Sequence, residues 1–225
     1  MQRFFKRDLL QEYMEFLNFV VQVVALSASG VLAPGPLFFT NIIYGMRHGA
    51  RAGLKVAYGH TAVELPLIIL LSAGVFASVA ATQHAGTIGL VGGAGILGFA
   101  TLQIAGVIKK KFLQATAAVS NNNKSPFIAG ILLSAFNPFF LVWWFTVGLK
   151  LIVDSATFGI VTGIVILFAF HIWMDYAWLA GTAYFASKGK SVLKSRYYRL
   201  MLLALATVLL FYGVYLTLIS IGNLS

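Results

Sequence analysis

The chain has 225 residues, of which 60% are hydrophobic and only 10% charged; its formal net charge is +10 and it has no cysteine. A soluble domain draws about a quarter of its residues from the charged set, so lipid must cover most of this protein's outer surface. Without cysteine, disulfide frameworks, Cys-type zinc sites and thiol redox chemistry are excluded. The basic residues cluster between apolar segments, a pattern of topology control that predicts membrane lipid as a partner and no nucleic acid.

Backbone polar groups in hydrocarbon must be satisfied internally, which leaves helices or closed barrels. The apolar runs here are about 20 residues or longer, and so predict helices rather than alternating strands. In chain order, residues 1–15 read as an amphipathic lead-in, with Arg3, Lys6 and Arg7 beside Asp8, Glu12 and Glu15. They lack the small-residue cleavage pattern of a secretory signal. Six apolar segments follow, at 16–45, 53–81, 86–108, 127–150, 157–187 and 198–221. The connections are short and leave no room for a second domain, so residues 1–225 are expected to form one transmembrane unit. Pro126 suits the first turn of the fourth helix, where its missing N–H costs nothing. The first, third and fifth connections hold twelve of the sixteen Lys and Arg residues. The positive-inside rule then puts those loops in the cytoplasm of a plasma-membrane protein, with both termini outside. Arg3, Lys6 and Arg7 pull the other way.

The two halves share a pattern. The first helix carries Pro34-Gly35-Pro36 followed by aromatics, and the fourth carries Asn137-Pro138 followed by Phe139 and Phe140. The second helix carries His60 and Glu64, and the fifth His171 and Asp175, each pair spaced by four. A unit of three helices crosses the membrane an odd number of times, so its second copy enters from the opposite side. The expected fold is therefore all-α, with six transmembrane helices in two inverted three-helix repeats (about 16–108 and 127–221), helices one and four being broken at their prolines.

The prolines remove backbone donors mid-span and clash with the preceding turn. Broken backbone is tolerated at membrane depth only where it faces protein or a watery cavity, and its freed groups can then bind solute or ions. Of the six acids, Glu64 and Asp175 lie inside apolar stretches, while Asp8, Glu12, Glu15 and Asp154 lie near ends or loops. A carboxylate at the bilayer centre costs about 2.5–3.5 kcal/mol on insertion scales. Residues at i and i+4 share a helix face, so each acid sits beside its histidine and the two can share a proton. The competing assignment is a structural hydrogen bond between helices. The four side chains also suit a divalent cation such as Zn²⁺ or Mn²⁺. The glycines of the third helix, from Gly86 to Gly98, allow close packing. Trp143, Trp144, Trp173 and Trp178 are either interfacial anchors or cavity walls. No catalytic triad or His-Glu-x-x-His motif is present, so no enzyme activity is expected.

Ala33-Pro34-Gly35-Pro36, the run Gly45-Met46-Arg47-His48-Gly49-Ala50-Arg51-Ala52-Gly53, Gly59, the glycine run Gly92 to Gly98, and Gly130 ahead of Asn137-Pro138 together resemble the LysE/RhtB amino-acid exporters. The resemblance extends over roughly residues 24–219. It implies export of amino acids or other small solutes driven by the proton gradient, with no cofactor, and makes Pro34, Gly35, Pro36, Asn137 and Pro138 the signature residues. Glu64 falls where many members carry an acid. Leu37 stands where members often have a polar residue, and Phe139 where they often have Lys; both make the expected cavity more apolar and less cationic. The predicted function is proton-coupled export of an amino acid, basic or zwitterionic, by alternating access, with His60, Glu64, His171 and Asp175 joining the signature residues at the site. Divalent-cation export through those four residues and a non-transporting membrane scaffold are the alternatives, and a homodimer is left open.

Overall fold

The computed structural model describes residues 2–33, 35–79, 85–108, 125–189 and 196–222. Among these residues the regular structure is all helical. The helices are α1 (Gln2–Val31), α2 (Pro36–His48), α3 (Ala50–Val79), α4 (Ala85–Ile108), α5 (Pro126–Ala135), α6 (Pro138–Trp143), α7 (Leu149–Ser155), α8 (Ile160–Ser187) and α9 (Arg196–Gly222). A π turn, Trp144–Gly148, joins α6 to α7, and a 3₁₀ turn, Ala156–Phe158, follows α7. Five stretches are long and apolar enough to cross a membrane: Leu9–Val31, Ala50–Val75, Phe139–Phe158, Ile160–Ser187 and Leu202–Gly222. The described apolar part of α4, Leu90–Gly106, is shorter. The protein is thus an all-helical, multi-pass membrane protein with five such spans among the described residues.

Two boundaries differ from the sequence expectation. The lead-in is continuous with the first span, because α1 runs unbroken from Gln2. The fourth span reaches Phe158 rather than ending at Lys150. Lys150 and Asp154, expected at a helix end and in a loop, therefore both lie inside it. They sit one turn apart on α7 and pair with each other, and a paired i,i+4 couple is far easier to accommodate in an apolar helix than either charge alone. Asp154 also accepts from Gln22 Nε2 of α1 at 2.6 Å.

Both predicted breaks are present. Between α1 and α2, residues 32, 33 and 35 lie outside the helices, and Pro36 opens α2 at its first turn. Pro34 itself lies outside the described residues. Between α5 and α6 the break is at Phe136 and Asn137, and Pro138 opens α6. A proline at the first helical position needs no donor and has its φ already set for the helix, so each proline starts the second piece of its helix. Pro66, by contrast, sits within a continuous α3.

Lipid tails are as apolar as leucine, so close approach and hydrogen bonding hold such a bundle together more than hydrophobic burial does. Helices α3 and α8 form its centre and run antiparallel: Gly53 meets Leu179, and further along Glu64 meets His171. A Cβ on Gly53 would lie 2.3 Å from the Leu179 carbonyl oxygen, and one on Gly45 would lie 2.5 Å from the Ala183 Cα. Side α5 closes on α3 through Gly59 and Gly130, whose Cα atoms leave no room for a methyl group between them. Helix α4 packs along α9, with Gly93 against Gly213 and Thr217. Gly93 and Gly95 therefore serve the close packing expected of the third segment, whereas Gly98 faces open space. Large apolar side chains such as Leu70, Val161 and Phe211 face outward, while Ser27, Asn41, Glu64, Gln103, His171 and Asp175 are buried.

Candidate functional site

Glu64 is one turn after His60 on α3, and Asp175 is one turn after His171 on α8. Because α3 and α8 pack antiparallel, the two pairs meet head to tail. His60 Nε2 lies 3.3 Å from Glu64 Oε1 and 3.7 Å from Asp175 Oδ1. His171 Nε2 lies 3.0 Å from Glu64 Oε1 and 3.3 Å from Asp175 Oδ2. The four side chains close a ring in which acids and imidazoles alternate, and all four are buried.

Each imidazole is anchored on its far side by a serine from the broken helix of the other half. His60 Nδ1 is 2.7 Å from Ser134 Oγ of α5, and His171 Nδ1 is 2.8 Å from Ser27 Oγ of α1. Ser134 donates its one hydroxyl proton to the Gly130 carbonyl at 2.6 Å. The hydroxyl can then only accept from His60, so Nδ1 carries a proton and Nε2 is the position that gains or loses one toward the acids. Trp144, set in the π turn, donates Nε1–H to Glu64 Oε1 at 3.2 Å. A π turn shifts the phase of the following residues and is frequent at functional positions. Glu64 Oε2 has no hydrogen-bond partner, and Asp175 Oδ2 has only its 3.3 Å ion-pair contact with His171 Nε2. An unpartnered buried carboxylate oxygen is costly, so a proton or a cationic group on the ring lowers its energy.

The ring forms part of the wall of a cavity of about 90 Å³, roomy enough for several waters, since one needs about 10–15 Å³. The two helix breaks supply another part: Gly35 and Asn137 both line it, and a Cβ on Gly35 would sit 3.5 Å from Asn137 Nδ2. Leu37 and Phe139, the two apolar departures noted in the sequence, line it too. So do Trp143, Trp144 and Trp178, which settles their place as cavity wall. Trp173 is half exposed and is not among the lining residues. Gln103 completes the polar lining; its Nε2 donates to the Ser29 carbonyl at 3.0 Å and its Oε1 is unpartnered.

Of the residues singled out by sequence, Gly35, Asn137, His60, Glu64, His171 and Asp175 all meet at this cavity. Pro36 and Pro138 open α2 and α6 at their first turns, and Pro36 is set back from the lining. Ser27, Ser134 and Gln103 were not among the site residues expected from sequence, and the contact of Trp144 with Glu64 was not foreseen. Each is an ordinary residue in an apolar segment, and only the packing of distant helices gives it a partner. Ligand atoms of His60, Glu64 and Asp175 lie within 4.8 Å of one another, a spacing and a donor set that a divalent cation could use.

Membrane-length helices surrounding a buried, ionisable cavity where two helix breaks meet define a polytopic protein of the solute-carrying class. The model of the LysE type translocator family matches residues 28–220, and the chain belongs to that family of membrane transporters of small solutes. No curated protein and no solved structure matches it.

Proposed function

We propose that the protein exports small solutes bearing an ammonium group, amino acids being the class its family points to, in exchange for protons. One observation carries this reading: the alternating ring of two carboxylates and two imidazoles is built into the wall of the cavity where the two helix breaks meet. With both imidazoles protonated and both acids ionised, the ring is neutral. Loss of one proton leaves a net negative charge in a low-dielectric site, and an ammonium group restores neutrality. Cargo cation and proton thus compete for one place, which is the requirement for antiport. Alternation between the two sides would come from rocking of one half against the other about the ring.

The reciprocal contacts support the inverted repeat in this reading. The histidine of each half bonds the broken helix of the other, and each imidazole also meets the other half's acid. The distribution of Lys and Arg supports a plasma-membrane topology with connections one, three and five cytoplasmic. Reporter fusions at residue 225 and within residues 121–123 test it, and an assignment of the two to the opposite sides overturns it.

The deciding experiment is efflux from proteoliposomes under an imposed pH gradient, comparing amino acids with Mn²⁺ and Zn²⁺, and with Glu64→Gln and Asp175→Asn as controls. The second reading, export of a divalent cation, is favoured by the convergence of His60, Glu64 and Asp175. It requires efflux of the metal that is lost in both variants, with no amino-acid efflux. If nothing moves and Glu64→Gln changes only stability, the protein is a membrane scaffold and both transport readings fail.

A further inference from the structure

The cavity lining stops at one level of the bundle. It ends at Gly30 on α1, Glu64 on α3, Phe99 on α4, Trp144 in the π turn and His171 on α8. About one helical turn further on, away from the connection that holds Arg47 and Arg51, lie Leu26, Ile68, Ile96, Val147 and Leu167. None of the five is more than 2% exposed, and all belong to one apolar cluster. Five spans thus contribute a side chain each to a packed plug at that end of the cavity.

One to two turns beyond the plug lies a polar cluster that plays no part in the ring. Gln22 of α1 donates from Nε2 to Asp154 Oδ2 of α7 and to the Tyr212 hydroxyl of α9, both at 2.6 Å. Lys150 pairs with Asp154, and its Nζ is 6.0 Å from the centre of the Tyr212 ring, at the limit of cation–π attraction. All four residues lie within membrane-length helices. Ionisable groups are expensive there and mark working parts of transport proteins, whereas apolar packing holds helices together as well as a buried ion pair does. What the polar contact adds is easy release. Both charges sit on α7, one turn apart, so separation of α1 from α7 and α9 leaves the ion pair whole. Only the two Gln22 hydrogen bonds break, and water replaces them at a small net cost.

We propose that Gln22, Asp154 and Tyr212 form the clasp of a gate that closes this end of the transport path. Gln22 belongs to the first half of the chain, and Asp154 and Tyr212 to the second, so rocking of the halves breaks the clasp. Its release parts the plug and exposes the ring to the side away from Arg47 and Arg51. The gate rests on the transport reading, because it needs a cycle that opens the two ends in turn, and it is independent of the cargo.

The chain has no cysteine, so an introduced thiol reports alone. Val147→Cys places one in the plug, and Val56→Cys places one at an equally buried position near the opposite end. Gln22→Leu removes the clasp donor and leaves the ion pair in place. In nanodiscs it should speed maleimide labelling at Val147→Cys at least fivefold and leave Val56→Cys within twofold. Unchanged labelling at Val147→Cys overturns the proposal, and so does equal acceleration at both positions, which would mean general loosening. A second arm bridges Gln22→Cys to Tyr212→Cys with a reducible bifunctional thiol reagent in proteoliposomes under a pH gradient, loaded with a radiolabelled amino-acid mixture or with radiolabelled Mn²⁺. Bridging should cut efflux at least tenfold, and reductant should restore it to within twofold. If the bridged protein transports like the unbridged one, the gate fails and the transport reading stands. If the parent moves neither probe, both fail.

Discussion

Replacing Glu64 by Gln keeps the shape of the side chain and removes its charge from the ring. Oε1 faces three groups: His171 Nε2 at 3.0 Å, His60 Nε2 at 3.3 Å and Trp144 Nε1 at 3.2 Å. The amide oxygen can still accept from Trp144. The two imidazole contacts change from charge-assisted, worth about 1.5–3 kcal/mol each, to neutral, worth about 0.5–1.5 kcal/mol each. The difference over both contacts is about 2–3 kcal/mol, or about 30- to 150-fold in the affinity of the ring for a proton or an ammonium group. In proteoliposomes with an imposed pH gradient, Glu64→Gln should reduce gradient-driven efflux at least 30-fold and leave the residual flux insensitive to the gradient. The purified variant should still fold, since it leaves no cavity and keeps the tryptophan contact. Efflux within twofold of the parent, with the same response to the gradient, would refute the reasoning that links this ring to proton exchange.

Other perturbations probe the parts that hold the ring. Ser134→Ala removes the acceptor of His60 Nδ1 and leaves a buried N–H unmade, at a cost of about 1–3 kcal/mol; it should lower the thermal midpoint and shift the pH profile of transport, whereas an unchanged profile would mean that His60 does not titrate during the cycle. Gly59→Ala should destabilise by about 1–3 kcal/mol, because its Cβ would lie 2.1 Å from the Phe127 carbonyl oxygen. Gly98→Ala, with nothing within 4 Å, should be neutral or stabilising, since alanine is favoured over glycine in a helix by about 1 kcal/mol; paired thermal melts in detergent compare the two. Asp154→Asn leaves Lys150 inside a membrane-length helix without its acidic partner. It should lower the thermal midpoint, and the double change Lys150→Met with Asp154→Asn should restore much of the loss in the same melts.

The class of the protein was legible in its composition, because the solvent a surface faces dictates which residues can cover it. The helix breaks were legible at Pro36 and Pro138 because a missing N–H acts on its own helix, whatever surrounds it. The pairs His60–Glu64 and His171–Asp175 were legible because helix geometry puts residues four apart on one face. Contacts between helices were not. His171 finds Glu64 across 107 residues and Ser27 across 144, and the pair on α8 marks an inward face without saying which helix it meets. Lys150 and Asp154 were misplaced for a related reason: charge suggests a helix end, and only their mutual pairing lets the span continue past them. The packing of α3 against α8 made two separate pairs into one ring. The meeting of Gly35 with Asn137 then brought both helix breaks to one cavity, because the side-by-side placement of two distant breaks depends on the packing of the halves and not on either proline.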